Sequence, residues 1–363
     1  MKKYQRLCAE AAAVTAACML FTACGKEQGG EMPTTPPSDV TLAPEMPTPP
    51  PELGNPTPEQ KPEQDGEPGA TEPGEQTDEE RAEYAVIKDS QGSYLMYQGI
   101  YYEIIDGETV RIPDYYDIEM TELVVPDTIT YEGTDYRVTS IGEDAFSYFY
   151  GLTKVVLGNN VEVLGVNAFC GCSDLTEVVF GTGLKEIREH AFEACDILEE
   201  IHLPEGLETI GEEAFCSCAS LREITLPSTL SVLGDNMFFD CESLVSISIP
   251  PSVEALPYGL FTNCEQLEKV ELAEGLSVIE KEVFWACESL TSLVLPESLV
   301  FIGERAFYNS GLESITFPDK KVSLGEDIFD FCDNLTTIYT SQAVQEYYMD
   351  AFDYVGVEFA VLQ

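Results

Sequence analysis

The stretch Ile210-Gly211-Glu212-Glu213-Ala214-Phe215-Cys216-Ser217-Cys218-Ala219-Ser220-Leu221-Arg222-Glu223-Ile224-Thr225-Leu226-Pro227 carries the pattern that decides the fold. At Leu233-Gly234 the same pattern begins again. Its Phe recurs as Phe146, Phe169, Phe192, Phe215, Phe238, Phe261, Phe284, Phe307 and Phe329, each step being 23 residues except the last, which is 22. The short step has a visible cause, because Asn309-Ser310-Gly311-Leu312 lacks one residue before its Leu. Copies at a fixed period of this length mark a solenoid, in which each copy is one coil of the same shape.

Within a coil the offsets say which way side chains point. Ile224 and Leu226 alternate with Glu223 and Thr225, the period-2 pattern of a short strand. Pro227 stops that strand, since it has no N–H to give a neighbouring coil. Ile210-Gly211-Glu212-Glu213-Ala214-Phe215 predicts a turn or short helix on the opposite side. The inward set is then the Ile or Leu before Gly, the Ala-Phe pair, the Cys, the Leu and the two strand residues. One coil cannot bury this set alone, and stacking covers both its faces.

The chain has 363 residues, 44% of them hydrophobic, and a net charge of −48 from 66 acids against 18 bases. That balance argues against binding nucleic acid in a basic groove. It favours solubility and repulsion from anionic surfaces. A diffuse acidic surface attracts divalent cations weakly without being a metal site.

The first residues read as a targeting segment. Lys2, Lys3 and Arg6 supply a positive start, and residues 11–20 form an apolar run of secretory length, too short to stay as a membrane span. Glu10 sits awkwardly before the run. Ordinary signal peptidase prefers small residues before its cut, and the bulky Phe21 in Leu20-Phe21-Thr22-Ala23-Cys24 fits that poorly. The segment instead resembles a bacterial lipobox, with Cys24 as the lipid-modified residue. Cys18 after Ala16-Ala17 is a rival that leaves a shorter apolar run, and plain secretion is the alternative. A signal peptide over 1–23 is therefore expected, with an exported, membrane-anchored domain outside the cell. Residues 24–83, rich in Pro, Glu and Thr, hold almost no large apolar residues and cannot offset the entropy of ordering. A Pro-rich tract of that kind extends at about 3.1 Å per residue, so the segment reads as a tether on the order of 100 Å or more. A ligand for Pro-binding domains is its rival reading.

Residues 84–140 lack the full repeat. Ser93-Tyr94-Leu95-Met96-Tyr97, Tyr101-Tyr102-Glu103-Ile104-Ile105 and Thr109-Val110-Arg111-Ile112 read as strands, with Asp106-Gly107 as a hairpin turn between the last two. Leu123-Val124-Val125-Pro126 is a degenerate coil. This stretch is expected to be a β-rich N-terminal cap, because a solenoid end must be covered. Residues 341–363, helical over 341–351 and extended over 355–361, are expected to be the α/β C-terminal cap.

The recurring Ile-Gly-x-x-Ala-Phe-x-x-Cys-x-x-Leu-x-x-Ile-x-Leu-Pro pattern, from about Leu123 to Tyr339, resembles the BspA-type leucine-rich repeat of bacterial surface proteins. The resemblance implies a leucine-rich repeat solenoid over 141–340, right-handed, with short parallel strands on one face. It also implies surface exposure and adhesion to protein partners, and it brings no catalytic residues. Phe149 and Ser310 depart from the pattern at the Cys position.

Cys172, Cys195, Cys218, Cys241, Cys264, Cys287 and Cys332 each stand three after an anchor Phe. Export suggests disulfides, but equivalent core positions, filled elsewhere by Phe149 and Ser310, favour reduced thiols packed as small hydrophobes. Cys170 and Cys216 face elsewhere and stand two coils apart, a poor basis for zinc. His190 lies in a turn and His202 on the exposed side of a strand, so a two-His site is not expected. No nucleophile elbow or phosphate-binding loop is present. Neither enzyme activity, nor a cofactor, nor a metal site is expected.

The strand face is the candidate binding surface. One outward row holds Lys154, Glu177, Glu200, Glu223, Ser246 and Lys269, and the next holds His202, Thr225 and Glu271. A solenoid face of this kind is a recognition surface; a solvated sheet face with residues chosen for strand propensity is the plain alternative. Two functions follow. One is a lipid-anchored surface protein that binds a protein or other macromolecule through this face, touches the membrane only through its lipid and binds no nucleic acid. The other is an envelope lipoprotein with diffuse cation association and no specific partner.

Overall fold

The computed structural model describes residues 84–88, 93–113, 120–353 and 355–361. The expected signal peptide, the Cys24 anchor and the 24–83 tether lie outside the described residues. The rest is a parallel β-solenoid, and its coils follow the Phe period.

The strand read from Ile224-Thr225-Leu226 forms in every coil, as Lys154–Val156, Glu177–Val179, Glu200–His202, Glu223–Thr225, Ser246–Ile249, Lys269–Leu272, Ser292–Val294, Ser314–Thr316 and Thr337–Thr340. The degenerate coil contributes Glu122–Val124, which pairs in register with Lys154–Val156. Central residues of these strands point inward and are buried, as Val155, Ile201, Ile224 and Ile247 show.

The coil also holds a second strand that the sequence reading did not place. Two-residue strands such as Thr209–Ile210 and Val232–Leu233 pair in parallel along the other side of the coil. Strands therefore occupy two faces of the coil and not one. The stretch after Ile210 is turn rather than helix. Residues two before and two after each anchor Phe take left-handed backbone, for example Glu213 (φ 54) and Ser217 (φ 57), or His190 (φ 57) and Ala194 (φ 54). Left-handed residues break an α-helix. Their N–H groups, and that of the Phe between them, reach the next coil instead. Glu213 N donates to Asp235 O at 2.9 Å, Phe215 N to Met237 O at 3.1 Å and Ser217 N to Phe239 O at 2.7 Å. The turns are thus stitched coil to coil like the strands. Gly234 shows how close the coils come, since a Cβ there would lie 2.2 Å from the Glu212 backbone nitrogen. Arg188, Pro257 and Glu280 hold the same place in three coils, so that close approach belongs to individual coils.

The anchor Phe side chains form one buried stack. Adjacent ring centroids lie 5.3 to 5.9 Å apart from Phe146 to Phe329. Beside it runs the Cys row, and all nine cysteines of the described residues are buried. Cys170 and Cys216 belong to that buried set at 5% and 1% exposure.

Ahead of the solenoid, β1 (Tyr84–Lys88), β2 (Ser93–Tyr97), β3 (Ile100–Ile104) and β4 (Thr109–Ile112) form an antiparallel meander. Gln98 and Gly99, both at positive φ, make the tight β2–β3 turn. Asp106 Oδ1 accepts the N–H groups of Glu108 and Thr109 at 2.8 and 2.9 Å in the next turn. A second hairpin, β6 (Thr128–Tyr131) and β7 (Thr134–Ile141) after β5 (Glu122–Val124), turns at Glu132-Gly133. The strand β7 then joins β4 on one side and Val163–Leu164 on the other, in parallel. At the far end the helix is Gln345–Ala351, four residues shorter at its start than expected, and the last strand Glu358–Val361 pairs with Thr337–Thr340. Tyr348 and Phe352 from that end pack on Phe317 and Phe329, with ring centroids 4.5 Å and 5.0 Å apart.

Candidate partner-binding face

Every residue of the two outward rows stands on the strand face. Glu177, Glu200, His202, Glu223, Thr225, Ser246, Lys269 and Glu271 are exposed, and Lys154 is half-buried. The alternation that buries Ile201 and Ile224 fixes this, because a strand sends successive side chains to opposite sides.

The face is not one continuous sheet. Its strands pair as three ladders: 122–179, 200–272 and 292–361. The first break separates Glu177–Val179 from Glu200–His202, where Glu177 and Glu200 are like-charged neighbours in the row. Like charges directly opposite weaken strand pairing. Glu177 turns instead to Lys154, whose ammonium lies 2.8 Å from its carboxylate. That hydrogen bond, followed by Coulomb attraction to Glu177, holds the Lys154 ammonium above its ordinary pKa. Glu200 and Glu223 do pair in register, with no cation bridging them among the described ion pairs. In the next coils Lys269 and Ser248 both donate to the Glu271 carboxylate, which lowers its pKa.

Two adjoining hollows open on this face. One is lined by Thr176, Ile197, Glu200, Arg222, Glu223 and Val245. The other is lined by His202, Thr225, Ser248, Lys269 and Glu271, and it shares Glu223 and Ser246 with the first. Most of the sequence-derived candidates therefore converge here, while Lys154 and Glu177 form a separate pair. Ile197, Arg222 and Val245 were missed. The signal for them was present, since Arg222 and Val245 directly follow the coil Leu and extend the outward rows one place upstream.

On the turn side one cluster could hold a cation. His190 Nδ1 lies 3.0 Å from Glu193 Oε2 and 3.3 Å from Glu213 Oε2. The neighbouring Glu193 carboxylate, then that of Glu213, raises the imidazole pKa to about 10, and His190 in turn lowers the pKa of Glu213. His202 stands 12 residues on, on the strand face rather than in the turn, so the two histidines do not meet in one site.

The sequence matches the profile of the BspA type Leucine rich repeat region in six copies over residues 139–268 and 256–363. Among solved structures, a leucine-rich repeat protein from Bacteroides ovatus is similar at 26% identity, over 77% of this chain and 74% of that one, with a TM-score of 0.56. The leucine rich repeat protein of T. pallidum is 33% identical over 53% of this chain and 87% of its own, with a TM-score of 0.49. A leucine rich cell surface protein from Faecalibacterium prausnitzii is 21% identical over 77% of this chain and 95% of its own, at 0.44. No curated protein matches the sequence.

Proposed function

The chain belongs to the BspA type leucine-rich repeat family, and on that premise we propose that it is a lipid-anchored cell-surface protein that binds a macromolecular partner through its strand face. Solenoids of stacked repeats serve as scaffolds for protein–protein interaction, and the reading assigns no reaction. Cys24 carries the lipid, residues 24–83 lift the domain from the membrane, and the solenoid of 141–340 presents the face. The β1–β4 meander with its following hairpin covers one end, and residues 341–363 cover the other. Adhesion is the role this placement serves.

The observation that carries the reading is the convergence of Glu200, His202, Glu223, Thr225, Ser246, Lys269 and Glu271 on the two adjoining hollows. Glu200 and Glu223 are paired like charges there, and such a pair gains when a cationic group of a partner comes between them. The preferred partner surface is therefore basic, with an apolar contact for Ile197 and Val245, which are 43% and 36% exposed.

The test uses the full-length protein against immobilised matrix and envelope proteins. A saturable partner should be found whose affinity falls at least tenfold with the pair of changes Glu200→Lys and Glu223→Lys. Both side chains point outward, so the variant should keep its thermal midpoint. Unchanged affinity would remove the strand face from recognition.

A further inference from the structure

We propose that His190, Glu193 and Glu213 form a binding site for one zinc-class divalent cation on the turn side of the solenoid. The sequence argued against metal because Cys170 and Cys216 stand two coils apart and the histidines do not meet. The structure fills that gap from the coil between. Residues two before and one after each anchor Phe form two neighbouring rows along the turns. In three successive coils those rows carry Cys170, then His190 with Glu193, then Glu213 with Cys216.

The ligand atoms of His190, Glu193 and Glu213 all lie within 4.8 Å of one another. Two nitrogen or oxygen ligands on one tetrahedral zinc sit roughly 3.3 Å apart, given bonds of about 2.0–2.1 Å. The 3.0 and 3.3 Å separations from His190 Nδ1 match that spacing. His190 Nδ1 is closed off from solvent, and neither carboxylate oxygen lies where a ring N–H would make a hydrogen bond to it. The Cys170 thiol, nine-tenths buried, points at the same Glu193 Oε2 from 3.8 Å.

Charge favours the same occupant. Elsewhere these rows satisfy themselves: Asn167 donates to Asp144 at 2.9 Å, and Arg305 meets Asp327 at 3.4 Å. Here two carboxylates face one imidazole, so even an imidazolium leaves a net negative cluster. A divalent ion that displaces the imidazole proton to solvent brings it to zero. Imidazole with carboxylate is a donor set for zinc rather than for magnesium or calcium. The side chains are 33%, 22% and 19% exposed, so an ion can enter from solvent. Three protein ligands leave a fourth position open.

Equilibrium dialysis of the full-length protein against Zn2+, in excess Mg2+ and physiological salt, tests the site. One zinc per chain should be retained, and zinc should raise the thermal midpoint. His190→Asn and Glu193→Gln should each lower the affinity at least tenfold and abolish that rise. Asn is chosen because Asn167 and Asn236 hold the same left-handed place in other coils, so the turn survives. Asp144→Asn, at the same left-handed place in another coil, should retain zinc as the native protein does. Retention of the same zinc by His190→Asn, or no retention by the native protein, would overturn the site.

Discussion

Cys241 donates its S–H to the Phe215 carbonyl, 3.2 Å away and in the preceding coil, and the same bond recurs from Cys172 to Cys287. This contact explains why a small polarizable thiol suits the position better than its size alone suggests. It also explains Ser310, which keeps a donor there and meets Cys332 Sγ at 3.3 Å. Cys241→Ser should therefore cost only about 1 kcal/mol, while Cys241→Ala, losing the donor and leaving a void, should cost about 2 kcal/mol in denaturant melts. Burial pushes the Cys172 and Cys218 thiols up to about 12 and lifts Cys195, Cys241 and Cys264 well above their usual value. Each such group keeps its proton in the native state and loses it more easily on unfolding. Its stability contribution is full below the unfolded thiol value near 9 and is lost as pH climbs towards about 12. The native protein should resist alkylation at neutral pH, react on unfolding, and show a falling thermal midpoint above about pH 9. Rapid alkylation of the ladder thiols in the native state would contradict this arrangement.

At the scale of elements, the legible parts were those whose physics repeats. The Phe period, the strand from Ile224 to Leu226 and the Cys row follow from offsets that recur in coil after coil, so each copy reinforces the reading of the others. The two-residue strands were hidden because Thr209-Ile210 is too short for a period-2 pattern to show. The turns resisted assignment for a different reason. Left-handed backbone at Glu213, Glu282 or Arg305 is imposed by coil stacking, and none of these residues announces it as Gly or Asn would. Glu132-Gly133 hid its hairpin similarly, lacking the Asn or Asp that marks such turns. The hollows on the strand face were half legible: the outward rows were readable, but convergence depends on how the ladders break. The C-terminal helix gives an element-scale test. Tyr348 is fully buried, packs on Phe317 and donates its hydroxyl to Lys320 O at 2.7 Å. Tyr348→Ala should cost about 3–5 kcal/mol in a denaturant melt, and should raise binding of a hydrophobic dye as the end of the Phe stack opens. A loss below about 1 kcal/mol would mean that this end needs no cover.

For the whole molecule, charge bears on the membrane attachment proposed above. The chain carries −48 overall, and anionic lipid surfaces repel such a protein. Among the described residues no helix is long and apolar enough to cross a membrane. Attachment of the folded domain to an anionic surface would thus work against its charge. On the function proposed above, lipid at Cys24 would supply the attachment, since about 0.8 kcal/mol per buried CH2 makes two or more acyl chains a stable anchor where one chain is marginal. The proposed tether of 24–83 would keep the acidic solenoid clear of the surface that repels it, in keeping with its Pro-rich composition. Cys24→Ala should abolish fatty-acid labelling and move the protein from the membrane fraction to the soluble one, with the solenoid's thermal midpoint unchanged. Cys18→Ala should leave labelling intact, because the apolar run before Cys18 is shorter. A high-salt wash should not release the native protein, whereas it would release one held by charge. If Cys24→Ala keeps its label and still sediments with membranes, the anchor lies elsewhere in the chain and the first 83 residues must be assigned anew.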